Sequence, residues 1–302
     1  MKPALSKAAV VALIGEAMGN PPNALEPLAE GMESQAFRFE LDGAWFVLRL
    51  NPALRGFEKD ARASSALGGR VPVPRVLRIG EADNGVAYCI SEWLPGTTLE
   101  DLSVSDAASM VEQVDRVRRL IAESDVSAIE GFGDFDPEGS GPARRWRDVL
   151  QRTLEDAGRD LSGAITDRSP DVTALLSAYE RLIDCCPEDR GLIHGDFGSN
   201  NVLAQEGRIT GVLDWDLAMV GDPLYDVANV YFWATHLHCM EVQADYFTRT
   251  LSDLPNYSER VACYALRIGL EEARENVSKG DMKMAAWALR RSFDFVGTRL
   301  RR

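Results

Sequence analysis

The chain has 302 residues, 45% of them hydrophobic and 26% charged, which is the composition of a globular protein and excludes disordered and fibrous classes. No apolar run reaches the ~18 residues of a membrane span. The first twenty residues also lack the regions that make up a signal peptide. We therefore expect a cytoplasmic protein that has no membrane partner.

The net charge of −14 argues against a nucleic-acid partner, because phosphate backbones bind basic surfaces. An acidic surface favours solubility and can attract a cationic ligand. The five cysteines include no CxxC pair, which indicates reduced thiols rather than a disulfide framework or a zinc site.

The N-terminal third of the chain alternates between helical and strand patterns. Apolar residues at helical spacing predict a helix over Lys2–Gly19. An alternating segment before Asp42–Gly43 and an apolar run after it, Trp45–Leu50, predict a hairpin. The remaining predicted elements are a helix over Phe57–Leu67 and extended segments over Val71–Gly80 and Val86–Ser91. Together they predict an antiparallel sheet of about five strands with one helix.

Strand patterns then disappear from Thr98 to Leu192, and helical patterns take their place. The predicted helices cover residues 105–123, 146–157, 172–185, 223–233, 240–251, 259–278 and 281–301. This change predicts an α+β protein, with one domain over 1–95 and a second, mainly helical domain over 96–302.

The stretch from Gly191 to Asp216 has the sequence GLIHGDFGSNNVLAQEGRITGVLDWD. Its two apolar runs, Leu192–Ile193 and Ile209–Leu213, flank a polar loop and predict a hairpin-like pair of strands. The ends of this loop carry acidic and amide side chains.

Three of these side chains suit phosphoryl transfer, in which the protein mainly positions the reactants and balances charge. We predict that Asp196 faces the acceptor hydroxyl as catalytic base. Asn201 and Asp214 offer the oxygen ligands that magnesium prefers. An aspartate in a turn is more often a cap, but HGDxxxxN followed by a strand and an aspartate favours the functional interpretation.

This stretch resembles the catalytic loop and metal-binding segment of the aminoglycoside phosphotransferase family. The resemblance extends through GMESQAF, FVLRLN, AYCISEW, GFGDF, HGDFGSNNVL, DWDLAM, GDPLYDVANVYFW, CMEVQADYF and LRIGLEEA. It implies a protein-kinase-like bilobal fold, with an antiparallel-sheet N-lobe over 1–95 and a mainly helical C-lobe over 96–302. It also implies ATP, with GTP as the alternative, and Mg²⁺. Within the family, the similarity is greatest to members that act on hygromycin B.

The resemblance further implies the nucleotide-binding residues. Arg49 would hold the phosphates where protein kinases have lysine; the alternative is a strand residue that faces solvent. Its partner would be Asp60, with Glu58 as the competing acid. Backbone amides and Ser34 would touch the phosphates from a covering loop. The hinge, Glu92 to Gly96, would contact the base through its backbone, with Glu92 and Leu94 as the nucleotide-binding residues.

For the substrate site, the resemblance implies Asn200 and the carboxylates of Glu271 and Glu275 for ammonium groups. It also implies an aromatic wall for sugar rings, formed by Trp233 and Tyr231. The alternative for the two glutamates is a solvated helix face. Asp226 resembles the family acid that braces the catalytic loop.

We therefore expect an ATP-dependent O-phosphotransferase that modifies a hydroxyl of an aminoglycoside, with hygromycin B as first choice, and so gives antibiotic resistance. We expect the protein to be a monomer. One alternative is a kinase of another amino alcohol, sugar amine or macrolide. Another is a nucleotide-binding protein that does not catalyse. A protein kinase is disfavoured because no activation segment lies between Asp214 and Gly221.

Overall fold

The computed structural model describes residues 5–28, 34–82, 85–161 and 172–296. It divides into two units. Unit 1 consists of Met1–Thr97 and Asn201–Leu217, and unit 2 of Thr98–Asn200 and Ala218–Arg302. The predicted turn residues 31–33 and the predicted helical residues 2–4 and 297–301 lie outside the described residues.

The helices and strands of the described residues are, in chain order, α1 (Lys7–Met18), β1 (Ala24–Pro27), β2 (Gln35–Leu41), β3 (Ala44–Asn51), α2 (Arg55–Leu67), β4 (Val76–Glu81), β5 (Ala87–Glu92), β6 (Thr97–Thr98), a 3₁₀ turn (Leu99–Asp101), α3 (Val104–Ala122), α4 (Trp146–Leu161), α5 (Val172–Ile183), β7 (Gly191–Ile193), β8 (Val202–Gln205), β9 (Arg208–Val212), β10 (Met219–Gly221), α6 (Leu224–Trp233), α7 (His238–Leu251), α8 (Tyr257–Lys279) and α9 (Met282–Phe293).

The N-terminal sheet of unit 1 has five strands among the described residues, in the order β1-β2-β3-β5-β4, and every neighbouring pair is antiparallel. Side chains alternate between its faces. Leu48 and Leu50 of β3 join a buried cluster with three residues of α1. Arg49, between them, has its guanidinium 5.2 Å from the Phe57 ring of α2. The predicted antiparallel sheet is confirmed; β1 was not predicted.

Two hairpins of unit 1 turn through the same backbone geometry. Asp42 and Gly43, between β2 and β3, have φ of 51° and 79°. Glu206 and Gly207, between β8 and β9, have φ of 50° and 73°. Positive φ at both central residues is the requirement of the tight type I′ turn, and Asp-Gly is a strong signal for it. The first hairpin was predicted from that pair of residues, whereas the second was not.

The predicted pairing of Leu192–Ile193 with Ile209–Leu213 is wrong. Residues 209–212 belong to β9, whose antiparallel partner is β8. Residues 192 and 193 belong to β7, whose antiparallel partner is β10. Because β8 and β10 are only four and three residues long, neither displays a clear alternation in the sequence.

Unit 2 is mainly helical in its described part, as predicted. Among its described helices, α8 contains the largest number of buried residues and contacts α4, α5, α6 and α9. An ion pair inside this unit fixes the start of α6. The carboxylate of Asp222, fully buried, accepts hydrogen bonds from Arg260 Nη2 at 2.7 Å and from the Leu224 amide at 3.1 Å. Within residues 5–28, 34–82, 85–161 and 172–296, no helix has the length and apolarity needed to cross a membrane.

Candidate active site

Arg49 and Asp60 form an ion pair on the α2 side of the N-terminal sheet, with Arg49 Nη2 donating to Asp60 Oδ2. The Asp60 side chain is 8% exposed and that of Arg49 is 26% exposed. Asp60, rather than Glu58, is therefore the partner of Arg49, and Arg49 does not simply face solvent.

The charge on Arg49 is set by opposing effects. Burial lowers the pKa of the guanidinium, but the neighbouring carboxylates of Asp60 and Asp214 raise it, and the net shift is upward. Arg49 thus stays cationic in a partly buried site. Burial raises the pKa of the Cys89 thiol, which lies opposite Arg49 in the sheet, to about 11. Cys89 is therefore neutral at pH 7, and it adds no negative charge that would compete for the guanidinium.

The second oxygen of Asp60 contacts the segment that follows β9. Asp60 Oδ1 accepts a hydrogen bond from the backbone N–H of Trp215 at 3.0 Å. One carboxylate on α2 thus joins the β3 cation to the residue directly after Asp214. Both oxygens of this buried carboxylate are therefore hydrogen-bonded, as buried polar groups usually are.

Asn201 and Asp214 lie at the same end of the β8–β9 hairpin. Asn201 directly precedes β8, and its backbone oxygen accepts a hydrogen bond from the Leu213 amide at 2.8 Å. Asp214 has φ of 60°, a left-handed conformation that aspartate and asparagine tolerate better than most residues. Asn201 is buried and Asp214 is exposed.

This donor set suits Mg²⁺, which takes oxygen ligands and is commonly held by one or two carboxylates together with substrate phosphates and water. Among the described residues, no cluster of three or more His, Cys, Asp and Glu side chains could hold a metal by itself. An amide oxygen and a single carboxylate are thus the kind of incomplete ligand set that a nucleotide's phosphates complete.

A pocket in unit 1 lies beside these groups. Its charged end carries Arg49, Asp60 and Asp214. Of the predicted hinge, Glu92, Trp93 and Leu94 line it as well, whereas Pro95 and Gly96 do not. Most of its other lining residues are apolar, namely Leu28, Ala36, Val47, Val73, Pro74, Val76, Leu203, Leu213 and Trp215. Ser34 lies directly before β2 and is not among the lining residues in the described part of the chain. An apolar cleft with a cationic and acidic end suits a flat base joined to phosphates.

The loop that carries Asp196 is held from α6 in unit 2. Both oxygens of Asp226 accept backbone hydrogen bonds, from the His194 amide at 3.0 Å and from the Gly195 amide at 2.9 Å. The Asp196 amide donates to His194 Nδ1 at 3.2 Å. Burial raises the pKa of Asp226, although its contacts with His194 and Gly195 oppose that shift. The backbone before Asp196 is therefore fixed, while its side chain is half-buried.

Two further side chains fix the next part of this loop. Asn229 Nδ2 donates to the Phe197 carbonyl at 3.3 Å, and Gln243 Nε2 donates to the Gly198 carbonyl at 2.8 Å. Gly198 has φ of 115°, and a Cβ there would come within 3.0 Å of Gln243 Oε1. Asn200, at the end of the loop, is exposed and accepts a hydrogen bond from the Ser199 hydroxyl at 2.9 Å.

The acidic residues of α8 have different surroundings. Glu271 accepts hydrogen bonds from Thr153 Oγ1 and from Arg274 Nη1, both at 2.8 Å. Glu275 is exposed and forms an ion pair with Lys279. These contacts occupy Glu271 within the unit and leave Glu275 at its surface.

Glu272 is the acid that sequence reasoning passed over. Burial raises its pKa to about 7, and the carboxylates of Glu275 and Asp196 add to the shift. Glu272 thus lies in the electrostatic field of Asp196. Successive residues of a helix point about 100° apart, so Glu272 could be expected to have surroundings different from those of Glu271.

Trp233, at the end of α6, belongs to an aromatic group. Its ring stacks on Trp287 of α9, with centroids 5.2 Å apart and planes 23° apart. The His236 ring lies 5.6 Å from Trp287. Both tryptophans are half-buried and His236 is exposed.

Comparisons with known proteins identify the family of the chain. The family model described as "Phosphotransferase enzyme family" (APH) matches residues 24–260. The hygromycin-B 4-O-kinase of Escherichia coli is 41% identical over 270 residues, which cover 87% of this chain and 78% of that relative.

Solved structures extend the similarity to the whole fold. The crystal structure of aminoglycoside phosphotransferase APH(4)-Ia matches with a TM-score of 0.89 at 37% identity, covering 97% of this chain and all of that one. A thermostable mutant of it, in a ternary complex with AMP-PNP and hygromycin B, matches with a TM-score of 0.87 at 39% identity and covers 96% of this chain and all of that one. The expected protein-kinase-like α+β fold is thereby confirmed. The chain belongs to the phosphotransferase enzyme family and is a small-molecule phosphotransferase of the aminoglycoside phosphotransferase type.

Proposed function

We propose that this protein transfers the terminal phosphoryl group of ATP to a hydroxyl of hygromycin B and so gives resistance to that antibiotic. The observation that carries the proposal is the 41% identity to hygromycin-B 4-O-kinase over 87% of the chain. The net charge of −14 supports a polycationic substrate.

The nucleotide site of the proposal is the pocket of unit 1. Glu92 to Leu94, within the hinge, take the base. Arg49 binds the phosphates while Asp60 holds the guanidinium in place. Arginine suits this task because its charge persists and its planar fork matches phosphate oxygens. Ser34 stays a predicted phosphate contact, and GTP stays the alternative donor.

Asn201 and Asp214 are the proposed magnesium residues. When bound, the ion supplies charge neutralisation for the phosphate oxygens. Asn201 contributes a neutral amide oxygen and Asp214 a carboxylate, and the β8–β9 hairpin holds both residues at one end.

Asp196 is the proposed catalytic base, which orients the acceptor hydroxyl and takes its proton. In a loose phosphoryl-transfer transition state the position of the acceptor matters more than strong activation. The bonds from Asp226 to the two residues before Asp196 support that role, because they fix the backbone from which the carboxylate projects.

For the ammonium groups of the substrate we propose Glu272 and Glu275. Glu272 lies in the field of the proposed base, and Glu275 lies at the surface one turn away from Glu271. Asn200, Trp233 and Glu271 stay predicted substrate residues. The stacked ring of Trp233 suits the apolar face of a sugar.

The broader expectations also stay proposals. They are a monomer, a cytoplasmic location, no nucleic-acid or membrane partner, and lobes that divide at residues 95 and 96. The net charge supports the absence of a nucleic-acid partner.

The test is mass spectrometry of candidate acceptors after incubation with purified protein and Mg-ATP. The acceptors are hygromycin B, a second aminoglycoside of a different skeleton, a macrolide, and a simple amino alcohol. The proposal expects a single added phosphate on hygromycin B. Phosphate on the macrolide or the amino alcohol, with none on hygromycin B, would replace the proposed substrate by one of the alternatives.

A protein that binds Mg-ATP in a thermal-shift assay but phosphorylates none of the acceptors would favour the non-catalytic alternative. Asp196→Asn serves as the matched control in each incubation, because it keeps the size of the side chain and removes its basicity. Expression in a sensitive bacterial strain then tests resistance, with the same variant beside the wild type.

A further inference from the structure

The side chain of Lys59 is almost completely buried, with 2% of the residue exposed. Its Nζ donates a hydrogen bond to the backbone carbonyl of Asp216 at 2.6 Å. Lysine is almost never fully buried unless it is paired, because removing an ammonium group from water is costly. This contact therefore fixes α2 against the chain two residues beyond Asp214.

Two neighbouring positions of α2 contact the same segment. Asp60 accepts the hydrogen bond from the Trp215 amide at 3.0 Å. At Gly56, a Cβ would lie 3.0, 3.1 and 3.3 Å from Oδ1, Cγ and Cβ of Asp216. Any residue larger than glycine would therefore force the Asp216 side chain to move. Gly56, Lys59 and Asp60 have the i, i+3, i+4 spacing of a single helix face.

The segment that this face of α2 holds, Trp215–Asp216, directly follows Asp214 and so affects the direction of its side chain. Asp214 is in a left-handed conformation, with φ of 60°. The next amide is bound by Asp60, and the carbonyl of Asp216 is bound by Lys59. The backbone after Asp214 is thus fixed at two points, and its freedom to rotate away is reduced.

We propose that Lys59 is a positioning residue for the divalent cation, which it serves by holding the backbone that directs the Asp214 carboxylate. The inference rests on the proposed function, in which Asp214 is a magnesium residue. Partners that orient a metal-binding side chain typically affect metal affinity by about 10- to 100-fold.

The test measures Mn²⁺ binding to the ADP complex by electron paramagnetic resonance, and metal-free ADP binding by calorimetry. Lys59→Met should raise the dissociation constant for Mn²⁺ by about 10- to 100-fold and leave metal-free ADP binding unchanged. Arg70→Met is the matched control, because it removes an exposed cation just beyond the end of α2. It should resemble the wild type in both measurements.

A second variant covers the case in which Lys59→Met does not fold. Gly56→Ala leaves the buried ammonium in place and favours the helix. Its new methyl group would displace Asp216 by a few tenths of an ångström, because three atoms of that side chain, one of them next to the backbone, lie within 3.3 Å. It should weaken Mn²⁺ binding in the same direction as Lys59→Met.

Wild-type Mn²⁺ affinity in folded Lys59→Met overturns the inference, and so does an equal loss of Mn²⁺ and metal-free ADP binding. Wild-type affinity in Gly56→Ala overturns it if Lys59→Met cannot be obtained. Asp214→Asn tests the underlying function separately. If that variant keeps wild-type Mn²⁺ affinity, the metal assignment itself fails, whatever the result at Lys59.

Discussion

The Oδ1 atom of Asp226 accepts a hydrogen bond from the backbone N–H of Gly195 at 2.9 Å. The other oxygen of the same carboxylate accepts from the preceding amide. A buried acid on α6 thus uses both oxygens to hold the loop that carries the proposed base. Because both carboxylate oxygens bind backbone amides, we expect Asp226 to position the loop rather than to contact the substrate.

We expect Asp226→Asn to lower both stability and turnover. The amide keeps one acceptor oxygen and turns its NH₂ group toward a backbone N–H, and a buried donor left unpaired costs about 1–3 kcal/mol. Melting temperature and kcat should fall, while the KM for ATP stays near its wild-type value. Asp253→Asn, at an exposed position, is the control. A variant with wild-type kcat would show that the loop holds its shape without these bonds.

Arg49→Met should raise the KM for ATP by about 10- to 100-fold, since a hydrogen bond to a charged group contributes about 1.5–3 kcal/mol. Arg49→Lys should lie between this variant and the wild type, because lysine keeps the charge without the planar fork. Arg78→Met removes an exposed arginine from β4 of the same sheet as a control. An unchanged KM in Arg49→Met would remove Arg49 from the nucleotide site.

Glu272 gives the protein a pH dependence near neutrality. Its pKa is raised from 4.5 to about 7, chiefly by burial and then by the charges of Glu275 and Asp196. If Glu272 binds an ammonium group, the KM for hygromycin B should fall as the pH rises through 7 and the carboxylate forms. Glu272→Gln should flatten that profile and raise the KM at about pH 8. If the KM for hygromycin B depends on pH in Glu272→Gln as it does in the wild type, Glu272 does not bind the ammonium group.

The same group predicts how stability changes with pH in the absence of substrate. The pKa of Glu272 is raised in the folded state, so the protonated carboxyl group favours folding. Its stabilising contribution to the free energy of unfolding is full below the pKa of the unfolded state and is lost as the pH rises through about 7. Glu272→Gln should therefore be more stable than the wild type at about pH 8, by about 1–3 kcal/mol, and the difference should shrink toward pH 5. Chemical unfolding at the two pH values measures it.

A comparison of variants separates the roles of Glu271 and Glu275 of α8. Glu271→Gln should lower the melting temperature more than it changes the KM for hygromycin B, because Glu271 accepts from Thr153 and Arg274. Glu275→Gln should raise the KM for hygromycin B more than it lowers the melting temperature. Its partner Lys279 is a surface residue, and such surface ion pairs contribute only about 0–1 kcal/mol to stability. A large KM increase in Glu271→Gln at unchanged stability would support the substrate role predicted from the sequence.

Local signals made much of unit 1 predictable. The Asp42–Gly43 turn marked one hairpin, and the single charge inside an apolar strand marked Arg49. The pairing of β7 with β10 was not predictable, because it joins short segments about 28 residues apart, and strand pairing over such distances leaves little local pattern.

The burial of Lys59 could not be predicted either. A lysine in an amphipathic helix is expected at the solvent face, and only the fold brings the Asp216 carbonyl to it. Glu271 and Glu272 differ by one helical step, so the sequence places acids on α8 without indicating which of them has a pKa that the charge of Asp196 raises. The convergence of Asp196 with Asn201 and Asp214 on one phosphate stays a prediction.

The central claim is that Asp196 serves as the base for phosphorylation of a hygromycin B hydroxyl. Single-turnover transfer from radiolabelled Mg-ATP to hygromycin B, compared between wild type and Asp196→Asn, tests it most directly. We predict labelled antibiotic with the wild type and a loss of about 10²–10⁴-fold in the transfer rate with Asp196→Asn, at unchanged ATP binding. No labelled antibiotic with the wild type, or an equal rate with the variant, would contradict the account.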